Sequence, residues 1–282
     1  MHPPRKTYIR EQRTLCGDSY AEVDFCPITE TEHRATARAK KRFASSLAQQ
    51  ARNAERATRL LIQLLNTNFD DRGFSLTLTY RDTYLPPDDE TAWRDIHNYL
   101  LRLRRFIKRQ DWPKDAKLKW VCVTENQEED KAAGLKEIRY HHHMLIQLDG
   151  LDAEQRSRLR DALENLWSTG PNGHREKIGT VNADRLQPEN DSLEGLAKYL
   201  LKNPRRRKRW HASRGLKRPT YPRPNDTCWT PRKLADACTK RVDDADYWEQ
   251  RYPGYRFLGA VPSFCEERAE WRLYIKLRRK RR

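Results

Sequence analysis

Phe74-Ser75-Leu76-Thr77-Leu78-Thr79-Tyr80 sets an apolar or aromatic side chain at every even position and a hydroxyl at 75, 77 and 79. Side chains alternate across a strand, so this period of two predicts a strand with one buried face and one hydroxyl-lined face. Pro86-Pro87 and the acids after them mark a loop. Residues 91–111 then place Trp93, Ile96, Leu100, Leu103 and Ile107 at helical spacing, with Arg102, Arg104, Arg105 and Lys108 on the opposite side. Further strands are expected at 119–124, 140–148 and 178–186, helices at 152–167 and 192–201, and a polar hairpin loop over 126–139. Strand, helix, strand, strand, helix, strand, helix is an α+β order: a single antiparallel β-sheet with helices packed on one face.

Outside that core, residues 33–66 read as a helix with an apolar end at Leu60, Leu61, Leu64 and Leu65, and residues 1–32 read as irregular. Past 225 the chain is rich in aromatics. Three parts are expected: an N-terminal arm and helix (1–69), a core with a basic segment (70–224), and a C-terminal extension with a basic tail (225–282).

The 282 residues are 37% hydrophobic and 34% charged, and no apolar run approaches the roughly 20 residues of a bilayer span. No apolar signal segment follows Met1, and the six cysteines stand singly without a CxxC pair, so a reducing cytoplasm with no membrane partner is expected. Lys and Arg number 57 against 40 Asp and Glu. Residues 200–224 carry ten of these cations and no acid, residues 272–282 carry seven and no acid, and the rest of the chain is balanced at forty of each sign. Two local basic segments therefore supply the whole surplus, as expected where a polyanion is gripped. In the first, Arg205, Arg206, Arg207, Lys208, Arg209, Arg214, Lys217 and Arg218 are the candidate phosphate contacts, interleaved with Trp210, His211 and Tyr221. Residues 276–282 read as a disordered basic tail.

His141-His142-His143 lies inside an apolar strand. Alternation puts His141 and His143 on one face and His142 on the other with Tyr140, Met144 and Ile146. Two imidazoles side by side on a rigid strand are good ligands for one divalent metal, and Glu125, ending the preceding strand, can add an oxygen from across the hairpin. Tyr199 on the helix 192–201 is a candidate nucleophile, and Lys202 three residues on supplies an ammonium to the same face. No GxxxxGK[ST] loop occurs in the chain.

Together these residues resemble the HUH endonucleases, specifically rolling-circle replication initiators like those of filamentous phages (the gene II protein group) and related plasmids. The strand 74–80 with Thr77 and Thr79 looks like the family's first motif. Glu125 with His141-His142-His143 looks like its metal motif, and Leu196-Ala197-Lys198-Tyr199-Leu200-Leu201-Lys202 like its tyrosine motif. The resemblance covers about residues 70–220. It departs from the family at His142, where a bulky apolar residue is usual, and in having one tyrosine in the last motif. It implies an HUH palm (an RRM- or ferredoxin-like sheet) and a metal-dependent, strand-specific DNA nicking-joining reaction through a 5′-phosphotyrosyl intermediate. Tyr199 and Lys202 would be catalytic, and His141, His143 and Glu125 would bind Mg²⁺ or Mn²⁺. The partners would be single-stranded or hairpin origin DNA and a separate host helicase, in the cytoplasm of a bacterium or phage-infected bacterium. A single-tyrosine HUH transposase, usually about half this length, and a non-catalytic DNA-binding protein are the alternatives. An RNA-binding sheet would need exposed aromatics where 75, 77 and 79 carry hydroxyls.

Overall fold

In the computed structural model, residues 7–30, 47–127, 136–169, 176–188, 192–202 and 209–280 are described. The elements begin with β1 (Thr7–Cys16), β2 (Tyr20–Thr29), α1 (Leu47–Asn68), β3 (Phe74–Thr79) and α2 (Asp89–Lys108). Next come β4 (Leu118–Gln127), β5 (Ile138–Leu148), α3 (Ala153–Asn165), β6 (Ser168–Thr169), β7 (Glu176–Lys177), β8 (Val181–Arg185) and α4 (Glu194–Leu200). The chain ends with β9 (His211–Ala212), α5 (Pro231–Lys240), α6 (Ala245–Arg251), β10 (Tyr255–Cys265) and β11 (Glu270–Arg279). Helices and antiparallel sheets make the fold α+β, as the element order predicts. Two compact units share the chain: Met1–Asn68 with Glu189–Leu193 and Lys217–Arg282, and Phe69–Pro188 with Glu194–Leu216.

The unit built on Phe69–Pro188 is the predicted sheet. Its five strands run β8-β3-β5-β4-β9, each antiparallel to its neighbours. Phe74, Leu76 and Leu78 of β3 share a core with Trp120 and Cys122 of β4 and Met144 and Ile146 of β5. Ile96, Tyr99, Leu100 and Leu103 of α2 and Leu159 and Leu163 of α3 close over that face. Asp88 caps α2 by accepting the Thr91 N–H, and Asp152 and Gln155 form a reciprocal capping box on α3. The Tyr99 hydroxyl donates to the Leu163 carbonyl at 2.9 Å and ties the two helices together. The register matters most: Thr79, His141 and Glu125 stand in one row across β3, β5 and β4, and Thr77, His143 and Val123 in the next but one. These rows share the face away from α2 and α3.

The second unit corrects three expectations: a single sheet, irregular residues 1–32 and a loose tail at 276–282. Residues 7–29 form the hairpin β1–β2, and residues 276–279 belong to β11. The four strands run β1-β2-β11-β10, all antiparallel, so the two ends of the chain share one sheet. In β11, Leu273, Ile275 and Leu277 alternate with Arg272, Tyr274, Lys276 and Arg278, an amphipathic strand that a charge count alone hides. Ile9, Val23, Phe25, Leu273 and Ile275 pack on Trp229, Leu234 and Trp248 of the 225–251 region. In β1 the pattern is masked because Glu11 is as buried as Ile9; it accepts bonds from the Tyr252 hydroxyl and Trp229 Nε1, both at 3.1 Å. Among the described residues no helix is long and apolar enough to cross a membrane.

Candidate active site

Strand parity separates the three histidines. His142 is fully buried on the core face, where its Nε2 meets the Tyr80 hydroxyl at 2.9 Å and its Nδ1 the Thr124 hydroxyl at 2.8 Å. His141 and His143 project from the other face with ring centroids 4.9 Å apart. The Nδ1–H of His141 donates to the Arg139 carbonyl at 2.9 Å, which leaves the Nε2 lone pair directed at the site. That Nε2 lies 3.6 Å from a Glu125 carboxylate oxygen. His143 Nδ1 faces the Thr77 hydroxyl at 3.3 Å, while its Nε2 is buried without a hydrogen-bond partner. One ligand atom from each of Glu125, His141 and His143 lies within 4.8 Å of the others.

A buried ring nitrogen with no partner is costly, and a cation shared with a carboxylate and a second imidazole is the natural way to satisfy it. Burial pushes the His143 imidazole down to about 4, with His141 adding to the shift, so the ring is neutral at pH 7 and its lone pair is open to a metal. Burial raises the Glu125 carboxyl, and the neighbouring His141 and then Lys202 act against that shift. Two nitrogens and an oxygen on facing strands therefore fit a divalent cation.

The helix α4 brings Tyr199 to the same face. Ala197 and Leu200 are its buried anchors, and the Lys198–Glu194 ion pair at 2.7 Å, one turn apart, braces it. Tyr199 is 54% exposed, yet its ring centroid lies 5.2 Å from that of His143, inclined at 72°. One side of the phenol thus packs on His143 and the other is open to solvent. Lys202, whose N–H donates to the Tyr199 carbonyl at 3.1 Å, closes the turn after the helix.

Residues 73–204 match the model of the replication-associated protein family that takes in the ORF2 and gene II proteins. The match begins one residue before β3 and ends just past Lys202, a little under half of the chain. It therefore takes in Thr77, Thr79, Glu125, His141, His143, Tyr199 and Lys202, and agrees with the resemblance to rolling-circle initiators of the HUH type. No curated protein and no solved structure matches the chain.

Not every residue singled out around the replication-associated motifs lies at this cluster. Thr77 touches His143, but Thr79, at the end of the row of His141 and Glu125, bonds the Thr180 hydroxyl at 2.6 Å. Gly179 permits that approach: a Cβ there would fall 1.7 Å from the Thr79 carbonyl oxygen. Arg205, Arg206, Arg207 and Lys208 lie outside the described residues. Arg214, Lys217 and Arg218 are exposed, Arg209 is half-buried, and the Asn68 side chain bonds both backbone groups of Lys217 at 2.8 Å. His211 is half-buried: it opens β9 and stacks on Trp93 at 3.8 Å. The supports that sequence reading missed are the Arg139 carbonyl, Tyr80 and Thr124. Tyr80 and Thr124 each adjoin a site residue in the chain, a signal that strand alternation could have supplied.

Proposed function

We propose that this chain is a metal-dependent, strand-specific DNA nicking-joining enzyme that initiates rolling-circle replication. The observation that supports it is the phenol of Tyr199, half open to solvent, packed on His143 beside Glu125 and His141. Glu125, His141 and His143 would hold Mg²⁺ or Mn²⁺, which supplies positive charge to polarise a phosphodiester. The Tyr199 oxygen attacks the scissile phosphorus of single-stranded or hairpin origin DNA. The phenolic O–P bond forms as the P–O3′ bond breaks, the phenol proton passes to solvent, and the leaving 3′-oxygen takes up a proton. The products are a 5′-phosphotyrosyl link and a free 3′-hydroxyl. Lys202 offsets the charge that builds on the phosphoryl oxygens, and the Thr77 hydroxyl steadies the His143 ring. One ester replaces another, so the reverse step rejoins the strand without nucleotide hydrolysis.

Arg209, Arg214, Lys217 and Arg218, with Arg205, Arg206, Arg207 and Lys208, would grip the phosphates of the origin strand, and a separate host helicase would unwind the duplex. The six cysteines form no disulfide, in keeping with a cytoplasmic setting. The test uses labelled oligonucleotides tiling both strands of the DNA around the gene, incubated with protein and Mn²⁺ and resolved on a denaturing gel. A covalent adduct on one strand is expected, lost in EDTA and lost in Tyr199→Phe, which keeps its DNA binding. An adduct that persists in Tyr199→Phe, or that forms equally in EDTA, would sink the assignment.

A further inference from the structure

Behind the candidate metal ligands, on the opposite face of the same three strands, stands a second polar row. Thr124 precedes Glu125, His142 lies between His141 and His143, and Tyr80 follows Thr79. Each is one residue from the site face, so strand alternation sends each to the core side. There they join: Tyr80 hydroxyl to His142 Nε2 at 2.9 Å, and His142 Nδ1 to Thr124 hydroxyl at 2.8 Å. Leu78, His142 and Thr124 share one cross-strand row, next to the row of Thr79, His141 and Glu125. His142 therefore bonds a hydroxyl on either side of it, each ring nitrogen meeting one.

We infer that this chain of bonds is a positioning clamp for the metal ligands: His142, Tyr80 and Thr124 set the spacing of β3, β4 and β5 directly beneath Glu125, His141 and His143. An apolar residue at 142 would pack in the same core, but it would not bond to both neighbouring strands. The ligands come from two strands, so their separation depends on how β4 sits against β5, and His142 is the side chain that fastens that pair from behind. The inference rests on the metal site proposed above and adds three residues that touch neither metal nor DNA.

The measurement is Mn²⁺ binding by the full chain, followed by the electron paramagnetic resonance signal of free and bound ion, with the melting temperature of the metal-free protein alongside. Thr124→Val and Tyr80→Phe each delete one hydroxyl with little change of shape. Each is expected to weaken Mn²⁺ binding roughly tenfold, as loss of supporting partners does at other metal sites, and to broaden the bound-ion spectrum as the ligand geometry loosens. The triple variant Tyr80→Phe, Thr124→Val, His142→Leu removes the three central polar groups together, so none of them is left without its partner. It is expected to melt near the wild type and still bind Mn²⁺ weakly with a broadened spectrum. Wild-type affinity and spectrum in Thr124→Val or the triple variant would overturn the clamp. So would weakened binding in which the folded fraction keeps the wild-type spectrum. A wild-type chain whose Mn²⁺ uptake is untouched by Glu125→Gln and His143→Gln is a different failure, of the metal site itself.

Discussion

His143 is a base held where a proton is unwelcome, and that has a measurable cost in acid. Above about pH 6.5, its ordinary value, the ring is neutral in the folded and unfolded chain alike and contributes no pH dependence. Between that value and about 4 the unfolded chain takes up a proton that the buried ring refuses, so stability falls as pH falls. Glu125, raised by burial, acts in the opposite sense, because the folded state holds its proton more tightly. The wild type and His143→Gln, compared without metal, isolate the histidine: the variant is expected to lose less melting temperature on going from about pH 6.5 to about pH 4.5. Equal slopes in the two would contradict the buried, neutral ring. At this scale much was legible. Parity alone distinguished His141 and His143 from His142. Which nitrogen each ring presents was not, since the Arg139 carbonyl and the Thr77 hydroxyl decide it, and strand register brings Thr77 there.

Helix α1 lies on its own unit's sheet through charge as well as apolar contact. Glu22 is fully buried on β2; it accepts from Arg59 Nε at 2.8 Å and from Gln63 Nε2 at 2.6 Å. The same guanidinium bonds both oxygens of Asp24 at 2.7 and 2.5 Å and lies 4.3 Å over the Tyr274 ring. Removing one partner of such a group strands the other, so Arg59→Met is expected to destabilise this unit by about 3 kcal/mol. Replacing both, as Arg59→Met with Glu22→Leu, should recover most of the loss. Native-state hydrogen exchange at the β2 amides measures both, and an unchanged exchange rate in Arg59→Met would refute the anchoring role. A buried acid also masks β1: Glu11 sits where alternation expects an apolar residue, and besides Arg13 two positions on, its partners Trp229 and Tyr252 are 218 and 241 positions away; β2 does alternate, with Ala21, Val23 and Phe25 on the core side and Glu22 and Asp24 between them. The strands β3, β4 and β5 were legible because their core faces, His142 and Thr124 apart, are made of Phe, Leu, Trp, Cys, Met and Ile.

Across the whole molecule, charge and connectivity tell different stories. The surplus of seventeen cations is concentrated in two segments, and the phosphate grip proposed for them predicts a dependence on salt. Affinity for a labelled single strand is expected to fall roughly 10²–10³-fold between about 50 and about 200 mM NaCl, as for several phosphate contacts. Fluorescence anisotropy reads this, and Tyr199→Phe should give the same slope; a flat response would remove the phosphate role of the basic segments. The sequence order of strands could not reveal that the chain's two ends belong together, because only the closed sheet pairs β2 with β11. That pairing governs how the protein is made. The first hairpin leaves the ribosome early, yet Ile9, Val23 and Phe25 find their covering only when Trp229, Trp248 and Ile275 have been translated. A product terminated early would keep the tyrosine and histidines but carry a greasy, unmatched N-terminal ribbon, the sort of surface that chaperones hold and proteases remove.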